Sequence, residues 1–232
     1  KEYKLAGEKI LGPYEGVLSN NGESLRLENA SGNTGESVRY SAQFPWPIAA
    51  DSIGAGPKWT GIDPMDYQHR GSSLERINFS LQGDDPANWV ASPIEKNATP
   101  GRPNHIARKR TMPRPIVTSV RAVNRRNSII ISKTDTVRIE AKLSDNKAVA
   151  GLTLEYFYDN IEKEGETKTQ KEMTFADDTW THTLPKKTDR TLVRYRMLAA
   201  FGKGPEIISP RPSDPYQWHS YFVMPRSSGS NK

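Results

Sequence analysis

The chain has 232 residues and no cysteine. That excludes disulfides, thiol nucleophiles and cysteine-based zinc sites. Histidine is also scarce. His69, His105, His182 and His219 are scattered, with no metal-ligand spacing among them. No run approaches the roughly 20 apolar residues that a spanning helix needs. The opening Lys1-Glu2-Tyr3-Lys4 has no apolar core behind it, so it is not a secretion leader. The first residue is Lys rather than Met. The sequence is therefore expected to continue upstream, with any targeting signal outside it. Catalytic motifs are missing too. There is no Gly-x-Ser-x-Gly elbow, no kinase motif and no phosphate loop, since Gly54-Ala55-Gly56 lacks the third glycine and the flanking strand and helix. The expectation is a non-enzyme without a cofactor.

What is present points to short strands and many turns. Hydrophobic residues make up 34%, while Gly and Pro number 17 each. Such a composition suits an all-β chain. Charge is unevenly placed. Residues 1–104 carry 10 basic and 13 acidic side chains, residues 105–126 carry 7 basic and none acidic, and residues 127–232 carry 16 and 14. The positive excess thus sits in one segment, whereas a nucleic-acid-binding domain spreads it over a face.

The strand signal is uneven as well. Asn20-Asn21-Gly22-Glu23 predicts a hairpin turn, because Asn-Gly accepts positive φ. Ser24 to Glu28 alternates as a half-buried strand should, and Glu36 to Tyr40 reads as its neighbour with Val38 and Tyr40 on one face. Residues 44–72 form a long aromatic-bearing loop. Ser73 to Ile77 predicts a short strand, and Asp84 to Trp89 a turn or helical turn leading to a buried Trp. Beyond residue 115 alternation is clearer. Val137, Ile139, Ala141 and Leu143 share a face, as do Leu152, Leu154, Tyr156 and Tyr158. Met173 and Phe175 end a third strand. Trp180, His182 and Leu184 mark a fourth, Val193 to Ala199 a fifth, and Trp218, Ser220 and Phe222 a last. With Ile116 to Val123, about seven strands in roughly 110 residues suggest an immunoglobulin-like sandwich.

Several segments together resemble a family. Gly12-Pro13-Tyr14-Glu15-Gly16-Val17-Leu18-Ser19-Asn20, Gly22 to Leu27, Pro45-Trp46-Pro47, Ala49-Ala50-Asp51, Ser73-Leu74-Glu75-Arg76-Ile77, Asp84 to Trp89 and Thr99-Pro100-Gly101-Arg102-Pro103-Asn104 occur in order over some 95 residues. This series resembles the C-terminal part of the bacterial lamin tail domain. Residues 116–224 look like the immunoglobulin-like module that follows it in exported proteins with spore-coat-H-like kinase domains. The resemblance implies two immunoglobulin-like β-sandwich modules, the first incomplete at its N-terminus. The expected layout is 1–104 lamin-tail-like, 105–115 basic linker, 116–225 immunoglobulin-like and 226–232 flexible tail. The family's opening strands are absent, and residues 54–71 are an insertion relative to it.

Candidate sites are few. Asp84 and Asp85 could contribute to a Ca²⁺ site, yet such a site takes six to eight oxygens, and Asp before Pro is commonly a turn or cap. Glu75 and Arg76 suggest a framework ion pair. Trp59, Tyr67 and His69 in the insertion suggest a recognition surface for carbohydrate or protein. The basic residues Arg108, Lys109, Arg110, Arg114, Arg121, Arg125 and Arg126 could meet an acidic polymer. Aromatic interleaving, which single-stranded nucleic acid wants, is missing there, so nucleic acid is not expected. The function expected is structural or recognition work in a larger secreted or cell-surface bacterial protein, with partners among its own domains, proteins, glycans or acidic polymers. The alternatives are an accessory region of an enzyme whose kinase-like or hydrolase domain lies elsewhere, and a polyanion-binding module through residues 108–126.

Overall fold

The computed structural model describes residues 15–19, 21–48, 73–93, 99–106, 112–159, 165–201, 204–214 and 217–225. The described residues are all-β apart from short 3-10 turns, and none of their helices could cross a membrane. The chain divides into two compact units. One is Lys1–Arg114 with Ser213–Pro215, and the other is Pro115–Pro212 with Tyr216–Lys232.

In the first unit, β1 (Gly22–Glu28) pairs antiparallel with β2 (Thr34–Ser41). The Asn-Gly turn leads into β1 rather than joining two strands: Gly22, at φ +104, donates its N–H to Ser19 O. The hairpin loop lies at Asn29–Asn33 instead. Asn29 builds it, its side-chain oxygen accepting the Ser31 and Asn33 N–H groups, while Gly32 supplies the positive φ of 78°. The expected half-buried face of β1 is not observed. Leu25 is 40% and Leu27 61% exposed, because no described strand of this unit lies over them. Across the hairpin, Glu36, Val38 and Tyr40 do share a half-buried face.

A second small sheet joins β3 (Leu74–Arg76) to β4 (Trp89–Ala91), with a 3-10 turn at Pro86–Asn88 between them. Trp46 from the aromatic segment is buried and packs its ring 6.0 Å from that of Trp89. Ile77 and Ala87 complete this modest core. The Gly83 turn lies along β2: a Cβ at Gly83 would come within 2.5 Å of Ser37 O and 2.8 Å of Val38 Cγ2.

The second unit has two sheets around one core. The four-stranded sheet runs β10-β11-β7-β5, formed by β5 (Val117–Val123), β7 (Val137–Leu143), β10 (Thr174–Ala176) and β11 (Thr179–Leu184). The other runs β6-β14-β12-β8-β9, formed by β6 (Ile131–Ser132), β8 (Leu152–Asp159), β9 (Thr169–Glu172), β12 (Leu192–Ala200) and β14 (His219–Met224), and β13 (Pro205–Ser209) also pairs with β12. Only β6 and β14 pair in parallel among these strands. Inward-facing Val137, Ile139, Ala141, Leu152, Leu154, Val193, Tyr195, Met197 and Ala199 are all buried in one cluster, as period-two patterning dictates.

Three sequence expectations change here. Residues 169–176 are not one strand. β9 belongs to one sheet and β10 to the other, with buried Met173 between them. Phe175, at the edge, is 46% exposed. The last strand buries Tyr221 and Val223, so Phe222 faces outward. In addition, β13 and β14 occupy one edge of β12 in succession. Met197 pairs with Ser209 and Tyr195 with His219.

Candidate functional site

The outward face of the four-stranded sheet is mostly polar. In register across the strands, Arg121 on β5 sits beside Glu140 on β7, then Thr181 on β11, then Thr174 on β10. The neighbouring row places Ser119 beside Lys142, and Thr179 beside Ala176. Alternation forces this arrangement: the intervening residues Ile139, Ala141, Trp180 and Leu184 fill the core. Long cationic side chains flank short threonines and Ala176. The difference in length leaves a shallow depression of about 360 Å³, lined by Ser119, Arg121, Arg138, Glu140, Lys142 and Asp177 among others.

Its charges are partly committed. Arg138 holds Glu140 through Nη2–Oε1 at 2.6 Å and Nε–Oε1 at 2.7 Å. Arg121 is a looser partner, with Nη1 at 3.8 Å from the other oxygen and a side chain 45% exposed. Lys142 has no ion pair and the Thr181 hydroxyl no hydrogen bond among the described residues. The depression therefore offers a spare ammonium, a half-engaged guanidinium and a hydroxyl that can both donate and accept.

Of the described residues in the predicted basic segment, only Arg121 lines this depression. Arg125 and Arg126 belong to the exposed turn after β5. Arg125 Nε donates to Thr136 Oγ1, and the Arg126 backbone is held by Asn124 Oδ1. Arg114 is exposed at the unit boundary. Arg108, Lys109, Arg110, Trp59, Tyr67 and His69 lie outside the described residues. Sequence reasoning missed Arg138 and Lys142. Their alternation with Ile139 and Ala141 put them on the outer face of a strand, but not which neighbouring strands would surround them.

Other chemistry-bearing clusters are structural in their geometry. Asp84 Oδ1 accepts the Arg39 N–H at 2.6 Å, and Asp85 Oδ1 caps the 3-10 turn through Ala87 N at 2.8 Å. Both carboxylates thus hold backbone. Among the described residues, no group of three or more His, Asp or Glu is placed to hold a metal.

Glu75 and Arg76 are not paired with each other, since adjacent strand residues point to opposite faces. Arg76 pairs with Glu36 at 2.6 Å, donates to Leu81 O and lies between the Phe79 and Trp89 rings. Glu75 accepts from His105 Nδ1 at 3.0 Å, the Thr99 hydroxyl at 3.2 Å and Ile106 N at 3.2 Å.

Ser209 Oγ lies 2.9 Å from His219 Nε2, the spacing of a nucleophile and its base. Ser209 is fully buried. The bond ties the end of β13 to the start of β14. Burial lowers the His219 pKa to about 4 and keeps the ring neutral. Just before β14, Trp218 lies on the outer face of the sheet that holds β8 and β12. There the Arg196 guanidinium lies 4.1 Å over its ring and Phe157 meets it edge-on at 4.9 Å. Arg196 in turn pairs with nearly buried Glu155 at 2.6 Å.

No family model and no curated protein matches this chain. Among solved structures, one described as the crystal structure of a Br derivative of BhCBM56 is similar to 48% of this chain over 96% of its own length, at 11% identity and a TM-score of 0.32.

Proposed function

We propose that this chain is a non-catalytic pair of recognition modules from an exported or cell-surface protein, and that its second unit binds ligand on the outer face of the four-stranded sheet. The observation that carries this is the depression around Arg121, Lys142 and Thr181. It has open polar groups with spare bonding capacity. The strand orders β5-β7-β11-β10 and β6-β14-β12-β8-β9 support an immunoglobulin-like reading of the second unit. The clamp of Glu75 on Thr99, His105 and Ile106 supports treating the Ser-Leu-Glu-Arg and Thr-Pro-Gly segments as one lamin-tail-like framework.

The test is a glycan and protein array probed with the full chain, followed by hydrogen exchange on each hit. Binding should protect amides of β5, β7 and β11. Protection confined to other strands, or chemical turnover of a bound ligand, would falsify this reading.

A further inference from the structure

We infer that the ligand of this depression is a linear polysaccharide carrying carboxylates on some of its sugars, with neutral sugars between them. The inference rests on the proposed recognition role and specifies its ligand chemistry.

Three features of the face select that class. The first is charge. The lining holds three cations, Arg121, Arg138 and Lys142, against Glu140 and Asp177. Arg138 is consumed by Glu140 at 2.6 Å, whereas Lys142 has no ion pair among the described residues and Arg121 only a 3.8 Å contact. The anion-seeking groups are thus two, on neighbouring strands, and the net excess is small.

The second is spacing. Arg121 faces Glu140 across the strand pair, and Lys142 stands two residues beyond Glu140 on β7, roughly 7 Å along at about 3.3 Å per residue, so Glu140 lies beside both anion-seeking groups. Each strand of a nucleic-acid duplex presents a charge about every 3.4 Å of helix axis. Such a strand laid along β7 would bring phosphates against Glu140 and Asp177. No aromatic ring lines the depression to stack a base. A sparsely charged polymer avoids both conflicts.

The third is the neutral part of the face. Ser119 and Thr181 present hydroxyls with no hydrogen-bond partner among the described residues, and the Asp177 carboxylate is an exposed acceptor. Hydroxyls both donate and accept, and carboxylates accept. Sugar hydroxyls satisfy both kinds of group without being charged.

Affinity electrophoresis of the full chain tests the idea. The probes are hyaluronan, whose carboxylates alternate with neutral sugars, its methyl-esterified form, neutral dextran and single-stranded DNA. Hyaluronan should retard the protein, and the esterified form should not. Lys142→Ala and Arg121→Ala should each weaken binding roughly tenfold, as loss of one charge-assisted hydrogen bond does. Thr181→Val should weaken it about threefold. All three positions lie at the surface, so unchanged melting temperatures serve as the control. Equal retardation by the esterified polymer, tighter binding of DNA, or Lys142→Ala and Arg121→Ala proteins that bind as the parent does would overturn the inference. If dextran binds and only Thr181→Val removes it, the acidic ligand class fails while the recognition reading stands. If no probe binds and the array has no hits on this face, both fail.

Discussion

Replacing Glu75 by Ala tests how the first unit is held together. The Glu75 carboxylate is 2% exposed and serves as common acceptor for Thr99, His105 and Ile106. Thr99 has a second partner in Asn104 Oδ1 at 3.3 Å, and the His105 side chain, 18% exposed, can turn to water. Among the described residues the part-buried Ile106 N–H has no second partner. A stranded buried donor costs about 1–3 kcal/mol, and a hydrogen bond to a charged group contributes about 1.5–3 kcal/mol. These overlap, so the expected loss is about 3 kcal/mol. Domains have about 5–15 kcal/mol in total, so the variant should still fold. Urea denaturation reads the loss, and hydrogen exchange should show residues 99–106 opening first.

Acid adds a second readout. Burial pushes the Glu75 carboxyl up, but the hydrogen bonds from His105, Ile106 and Thr99 together outweigh it, and the pKa lies below the ordinary 4.5. A carboxylate whose pKa is lower folded than unfolded stabilises above the unfolded value. That contribution is lost as pH falls through the folded value. The stability gap between the parent and Glu75→Gln should therefore be widest above about pH 5 and narrow in acid. A Glu75→Ala protein within about 0.5 kcal/mol of the parent, the range of an unremarkable surface change, would refute the clamp. A gap that stays constant from neutral pH to acid would refute the charge assignment.

Two further outcomes follow from packing and burial. Gly83→Ala forces a methyl against Ser37 O and Val38 Cγ2; overpacking of this kind costs about 1–3 kcal/mol, read by denaturation, with Gly151→Ala, which meets nothing within 4 Å, as the mild comparison. His219 titrates lower folded, at about 4, than its ordinary 6.5. Between those values the unfolded chain binds the proton more tightly, so the parent should lose stability steadily from about pH 6.5 to 4. His219→Gln should lack that slope, and an identical slope would count against the buried neutral ring.

The second unit was readable because its strands alternate strictly. Val137, Ile139, Ala141, Leu152, Leu154, Val193 and Met197 all reach the core from period-two patterning alone. Where a strand's fate depends on partners far along the chain, pattern fell short. Leu25 and Leu27 alternate as well as Leu152 and Leu154 do, yet the described residues of their unit set no second layer over them. The last strand misled because Trp218 and Phe222 are large and apolar but face outward, while Tyr221 and Val223 carry the burial. The candidate site was legible only through Arg121. Charge read along the sequence grouped Arg121 with Arg125 and Arg126. Sheet register regroups it with Arg138 and Lys142, and no local pattern encodes that register.

The passage of residues 169–176 from one sheet into the other bears on how the second unit comes apart. β9 bonds to β8, β10 bonds to β11, and Met173 fills the core between them while donating its N–H to Leu152. Neither layer can swing open on its own without dragging this buried methionine through the gap. A domain without disulfides thereby gains a covalent tie across its middle. The two layers should melt in a single step, and hydrogen exchange in β8 and β11 should report the same opening free energy.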